Sequence, residues 1–137
     1  MNKTLPEKDH CLKTSKTFCI LPWIHMHIWP NGDAFPCCVS DSDLPLTNIT
    51  SQSLEETWNS DKMKTLRKNM LQDIKSPACQ RCYVLEESAH VRTLRIHSNN
   101  QYGHHWDNIL QTREDGHAEK VNMAYMDIRW SNICNLR

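Results

Sequence analysis

The sequence is poor in glycine, in long apolar runs and in charge of one sign, and each shortage excludes a class of protein. Three glycines and a mean hydropathy of −0.67 describe a polar chain with a modest capacity to form a core. No apolar run approaches the roughly 20 residues of a membrane-spanning helix. Sixteen basic residues balance sixteen acidic ones, so the net charge indicates neither nucleic acid nor an anionic membrane as partner.

The first ten residues, MNKTLPEKDH, are polar and lack the apolar stretch of a secretory signal, which predicts a cytoplasmic protein. Against this background seven cysteines are many. In a reducing compartment such cysteines are more often metal ligands or redox groups than disulfides. Their spacing therefore carries the functional interpretation.

A β-hairpin is predicted from the first half of the chain. Apolar residues alternate over residues 24–29, the period of a half-buried strand. Asn31-Gly32 follows, a strong hairpin signal because both residue types tolerate positive φ. A two-residue turn there would place Cys37 opposite Met26.

Helices are predicted after residue 52. Ser53 and Glu56 form a capping box in front of an amphipathic stretch that ends before Pro77. A second cap at Ser60 would divide this stretch into two helices. A C-x-x-C pair follows at residues 79–82, and the segment behind it is predicted to be helical.

Four cysteines are predicted to meet at one metal site. Cys79 and Cys82 have the spacing at which two thiolates converge on one centre. Cys19 and Cys37 lie at the mouth of the predicted hairpin. Seventeen residues separate this first pair, which is poor for a zinc knuckle, so the spacing favours a 4Fe–4S cluster. Two alternatives stay open: a four-cysteine zinc module for protein interaction without catalysis, and a thiol redox protein that uses only Cys79 and Cys82.

The order Cys19, Gly32, Cys37 and Cys79-x-x-Cys82 resembles the auxiliary-cluster pattern of radical SAM enzymes, in its single-cluster (twitch) form of the SPASM domain. The resemblance implies an α+β fold, a small β-hairpin plus helices around a four-cysteine iron–sulfur site that serves electron transfer or structure. The predicted boundaries are a polar lead-in over 1–17, the iron–sulfur domain over 18–96, a linker over 97–120 and the start of a radical SAM domain over 121–137.

The final stretch, MDIRWSNICNLR, resembles the first strand and loop of a radical SAM (β/α) barrel, where the motif is C-x3-C-x-x-C. Cys134 would be its first cysteine, so the chain is interpreted as an N-terminal fragment that lacks the barrel and is inactive alone. For the parent, the resemblance implies S-adenosylmethionine, a second 4Fe–4S cluster and release of a 5′-deoxyadenosyl radical. It also implies an electron donor such as a flavodoxin or ferredoxin, and a peptide or protein substrate.

The other polar and thiol side chains receive ordinary structural roles. Cys38 is predicted to be a small core residue and Cys11 a free thiol in the lead-in. His25 and His27, on one strand face, are predicted to be a solvated or satisfied pair and not metal ligands. Together with Arg81 they are predicted to tune the cluster potential. Four charged residues of the second helical region are expected to form a solvated surface: Glu86, Glu87, Arg92 and Arg95.

Overall fold

The computed structural model describes residues 4–131, which form a mixed four-stranded sheet and several helices. The strand order is β3-β2-β1-β4, with antiparallel pairing of β1 with β2 and of β2 with β3 and parallel pairing of β1 with β4. The predicted α+β class is confirmed. The strands are β1 (His25–Ile28), β2 (Asp33–Phe35), β3 (Thr47–Asn48) and β4 (Tyr125–Ile128).

The α-helices lie between β3 and β4 in the chain. The α-helices are α1 (Leu54–Trp58), α2 (Asp61–Leu71), α3 (Gln80–Ser88), α4 (Leu94–Tyr102) and α5 (Trp106–Leu110). Shorter turns of helix are the π-helical His10–Thr14 and the 3-10 segments Leu21–Trp23, Ile49–Ser51, Pro77–Cys79 and Gly103–His105. No helix within residues 4–131 combines the length and the apolar character needed to cross a bilayer.

The hairpin is present, but its loop is one residue longer than predicted. Trp29 O accepts a hydrogen bond from Gly32 N at 2.9 Å, and the ladder closes around residues 30–32. Gly32 has a φ of +89°, which suits a three-residue loop that ends on a left-handed residue. The register therefore moves by one, and the predicted placement of Cys37 opposite Met26 is wrong.

Strand β4 pairs with the edge of β1 opposite to β2. The ring of His25 stacks on that of Tyr125 at 4.0 Å, and His27 Nδ1 donates to Asp127 Oδ2 at 3.0 Å. All four residues of β1 are buried, so the expectation of a half-buried strand is wrong. The segment predicted to open a barrel lies here at the edge of the hairpin's own sheet.

The helix boundaries follow from local capping. Ser53 Oγ accepts from Glu56 N, and the Glu56 carboxylate accepts from Ser53 N, so the predicted capping box is confirmed. The chain breaks between α1 and α2, and Ser60 is the N-cap of α2, as the two-helix alternative required. The core beside these helices contains large side chains with under 2% of their surface exposed, among them Phe18, Trp23, Trp58, Met63 and Met70.

Both flanks of the four-cysteine segment pack against this core. In the lead-in, Cys11 is buried, and Ser15 Oγ donates to Asp73 Oδ1 at 2.6 Å. In the segment predicted as a linker, α5 places Trp106 and Ile109 in the core. Cys11, Trp106 and Ile109, from either side of residues 18–96, therefore belong to the same core as that segment.

Candidate metal centre

The side chains of the four predicted ligands line one cavity. Cys19 precedes the 3-10 turn Leu21–Trp23, Cys37 follows β2, Cys79 ends the turn Pro77–Cys79, and Cys82 lies near the start of α3. Cys19 and Cys82 are 8% and 9% exposed. No group of three or more His, Cys, Asp or Glu side chains in residues 4–131 has the spacing of a single-ion site.

Hydrogen bonds fix the backbone on both sides of Cys19. Asn99 in α4 accepts from Ile20 N at 2.9 Å and donates to Phe18 O at 2.9 Å. Arg95, one turn earlier in α4, donates to Phe18 O at 2.8 Å. Helix α4 thus holds the residue before and the residue after Cys19, although some 80 residues of chain lie between them.

The C-x-x-C segment is fixed by local contacts. Ser76 O accepts from Cys79 N at 3.0 Å, which closes the turn that carries Cys79. Tyr83 OH accepts from Ser76 N at 3.3 Å, so the first turn of α3 is tied back to the residue in front of Pro77. The loop behind Cys37 joins them, because Asp41 N donates to Ala78 O at 3.0 Å.

Burial raises the pKa values of three of the thiols. The pKa of Cys37 rises to about 12 and that of Cys79 to about 11, and that of Cys19 lies well above its usual range. Burial is the main cause in each case, and the negative charge of the neighbouring thiolates adds to it. Without a cation these thiols stay protonated, whereas iron bonded to sulfur compensates the charge that deprotonation creates.

The rest of the lining is mostly apolar, with three polar side chains. Ser40 Oγ is buried and has no hydrogen-bond partner among the described residues. The other four side chains with such an atom, Trp58, Ser60, Ser76 and Ser98, do not line this cavity. Buried hydroxyl groups are rarely left unpaired, so Ser40 is a donor suited to a sulfur atom held by the thiols. The apolar side chains are Leu21, Val39, Met70 and Leu94, and the other polar ones are Thr17 and Arg95.

The expectation of a solvated helix surface is confirmed for Glu87 and Arg92, which are exposed, and wrong for Arg95 and Glu86. Arg95 is 6% exposed, and its guanidinium group donates from Nε and Nη2 to the Glu86 carboxylate. Burial lowers the pKa of Arg95, but the hydrogen bond and charge of Glu86 outweigh it, and the pKa is raised. Thr93, the N-cap of α4, also donates to Glu86 Oε2 at 3.2 Å, but no local sequence signal identifies the pair.

The side chains predicted to tune the site lie elsewhere. His25 Nδ1 donates to Tyr125 O at 3.1 Å, and burial lowers the pKa of His25. His27 is held between Asp127 and the indole N–H of Trp29. Arg81 is exposed. The prediction of a satisfied histidine pair agrees with these contacts, but none of the three lines the cavity.

Of the remaining described cysteines, Cys11 is a free thiol as predicted, and Cys38 differs from expectation in its exposure. Cys38, predicted to lie in the core, is exposed, whereas Cys11, placed in a polar lead-in, is 2% exposed. Cys38 follows β2 beyond its last paired residue, so strand alternation does not govern its direction. Cys134 lies outside the described residues.

Comparison with known proteins bears on the segment that contains these cysteines. Residues 19–83 match the family model SPASM, an iron–sulfur cluster-binding domain. The matched range begins at Cys19, contains Cys37, Cys79 and Cys82, and ends one residue after the last of them. No curated protein and no solved structure matches the chain. The match indicates that this part of the chain binds an iron–sulfur cluster.

Proposed function

We propose that Cys19, Cys37, Cys79 and Cys82 hold a 4Fe–4S cluster with a thiolate at each iron. The observation that carries the proposal is the shared cavity, lined by all four thiols, inside a segment that matches an iron–sulfur domain. Four protein ligands leave no iron open for a substrate, which suits electron transfer or structural support.

The donor set and its surroundings fit such a group. When bound, the cluster supplies one-electron chemistry. The four cysteines bind it as thiolates, while Leu21, Met70 and Leu94 exclude water from the sulfur atoms. The hydroxyl group of Ser40 would donate a hydrogen bond to a sulfur atom of the cluster, a contact of the kind that adjusts the potential of such centres.

We further propose that the domain is of the twitch form and serves a cytoplasmic radical SAM enzyme. SPASM domains are typical of the auxiliary clusters of that family, and Asn132-Ile-Cys134-Asn-Leu agrees with the start of its C-x3-C-x-x-C motif. In this proposal Cys134 contributes to a second 4Fe–4S cluster that binds S-adenosylmethionine for reductive cleavage. A flavodoxin or ferredoxin donates the electron, and the substrate is a peptide or protein.

The primary test is the metal and sulfide content of protein purified without oxygen. We expect about four iron and four sulfide per chain, lost in Cys79→Ser and kept in Cys38→Ser, the matched control at an exposed cysteine. About one zinc per chain without sulfide would instead support the zinc module and reject the proposal.

Cys19→Ser separates the cluster from a simple dithiol. If Cys79 and Cys82 act alone as a redox pair, this variant keeps its thiol–disulfide activity. In the cluster proposal the variant loses the iron and the visible absorbance together, because Cys19 is one of four required ligands.

A further inference from the structure

Arg95 is a charged residue that lines the same cavity as the four thiols. Of the described residues that line the thiol cavity, Arg95 alone carries a formal charge. Its charge lowers the pKa of Cys79 and would likewise stabilise Cys19 and Cys82 as thiolates. The guanidinium group would therefore act electrostatically on three of the four proposed ligands once they bind a cluster.

Hydrogen bonds to two backbone carbonyl groups and to one carboxylate fix the position of this charge. Nη1 of Arg95 donates to Ser15 O at 3.0 Å and to Phe18 O at 2.8 Å. Nε donates to both carboxylate oxygens of Glu86 at 3.0 Å. The side chains of Arg95 and Glu86 are 7% and 13% exposed. Because little water reaches them, their charges are screened less than those of a surface pair.

Both residues lie beyond the segment that matches the family model, which ends at residue 83. Glu86 belongs to α3 and Arg95 to α4. The charge beside the thiols is therefore supplied by the part of the chain that follows the matched domain.

We propose that Arg95 raises the reduction potential of the bound cluster and that Glu86 limits this increase. The inference rests on the proposed function. When one electron passes from a low-potential donor to the cluster, the donor is oxidised by one electron, and no bond to Arg95 forms or breaks. The added negative charge is stabilised by the guanidinium and destabilised by the carboxylate.

Asn99 provides a matched control for the structural role of Arg95. Its side-chain amide binds Phe18 O, as Arg95 does, and also Ile20 N, but it carries no charge. Asn99→Ala therefore loosens the backbone around Cys19 without removing a formal charge. If the shift in potential depends on charge, it must be larger in Arg95→Gln than in Asn99→Ala.

The experiment is an anaerobic redox titration of the full chain carrying its cluster, followed by absorbance and by electron paramagnetic resonance. In Arg95→Gln we expect the midpoint potential to become more negative. At fixed potential, the ratio of reduced to oxidised cluster falls about tenfold, equal to about 59 mV for one electron. In Glu86→Gln, which keeps an acceptor for the guanidinium, the potential becomes more positive. Asn99→Ala shifts it by clearly less than Arg95→Gln does.

Two outcomes overturn the inference. One is an equal shift in Arg95→Gln and Asn99→Ala, which would assign the effect to backbone loosening. The other is a Glu86→Gln potential that stays at the wild-type value or moves in the negative direction. If Arg95→Gln holds no cluster, Glu86→Gln decides alone. Absence of a cluster from the wild-type chain would instead reject the proposed function, and so the two failures are distinguishable.

Discussion

Within residues 4–131 two arginines are buried, Arg67 and Arg95, and their surroundings differ in kind. Arg67 is 0% exposed, stacks on the Trp58 ring at 4.9 Å and donates only to uncharged oxygen atoms. Its acceptors are Pro22 O, Asn59 Oδ1, Gly116 O and Trp58 O. Arg95 has a carboxylate partner and lies beside the thiols.

Arg67 is a cation with a structural role, whereas the role proposed for Arg95 is electrostatic. Burial lowers the pKa of Arg67 to about 9, so its guanidinium stays charged at neutral pH and satisfies carbonyl groups that would otherwise be left unpaired. It joins α2 to the end of α1 and to the turn at Gly116. Arg95 also binds backbone carbonyls, but it lines the cavity of the proposed cluster, whose charge would change on reduction.

The largest effect on stability is expected from Arg67→Met. The substitution leaves several buried carbonyl and amide oxygens without a donor, and the free energy of unfolding should fall by about 3–5 kcal/mol. Denaturant unfolding of the cluster-bound chain measures this. The exposed neighbour Lys68 is the control, since Lys68→Met should change stability by at most about 0.5 kcal/mol. A potential shift as large as that of Arg95→Gln in folded Arg67→Met would erase the contrast between the two arginines.

Gly116→Ala should be the next most damaging change. A Cβ at this position would lie 1.9 Å from Lys64 O, and the φ of Gly116 is +93°. Because backbone must move and the acceptor for Arg67 moves with it, we expect a loss of about 2–3 kcal/mol. Gly103→Ala is the control: its Cβ meets only the end of Leu12 at 3.0 Å, and stability should stay within about 1 kcal/mol. Equal losses in the two variants would show that the turn at Gly116 does not depend on glycine.

The smallest effect is expected from Ser40→Ala. Loss of one hydroxyl donor beside the thiols should make the potential more negative by the equivalent of about 1 kcal/mol or less, a smaller change than that in Arg95→Gln. Ser88→Ala removes a hydroxyl group that binds Val84 O on the exposed side of α3 and should leave the potential unchanged. A Ser40→Ala potential equal to that of wild type would show that this hydroxyl does not reach a sulfur.

Local chemistry predicted the secondary structure around the candidate site well. The capping box at Ser53 specifies a helix start within four residues, and Asn31-Gly32 specifies a reversal between two short strands. The spacing of Cys79 and Cys82 indicates a metal or redox pair without further context. The loop length was not predictable, because Asn-Gly is compatible with both a two-residue turn and a three-residue loop.

Long-range contacts account for what the sequence did not predict. Glu86 and Arg95 have the spacing and composition of an ordinary exposed helix surface, and only the packing of α4 on the segment before Cys19 buries them. The parallel pairing of β4 with β1 joins residues 100 positions apart, and no local pattern specifies a partner at that distance. Ser40, likewise, lies in a polar loop whose composition does not reveal that one hydroxyl faces a buried site.

The contacts of Asn99 also bear on when the site forms during synthesis. All four cysteines and the carbonyl of Phe18 are made before α4, and Asn99, which fixes the backbone at Cys19, follows that cysteine by some 80 residues. A ribosome-bound chain that has reached residue 83 contains every proposed ligand and still lacks the clamp on the first one. Iron delivery to the nascent protein is thus expected to produce a tightly held centre only after α4 has emerged and docked.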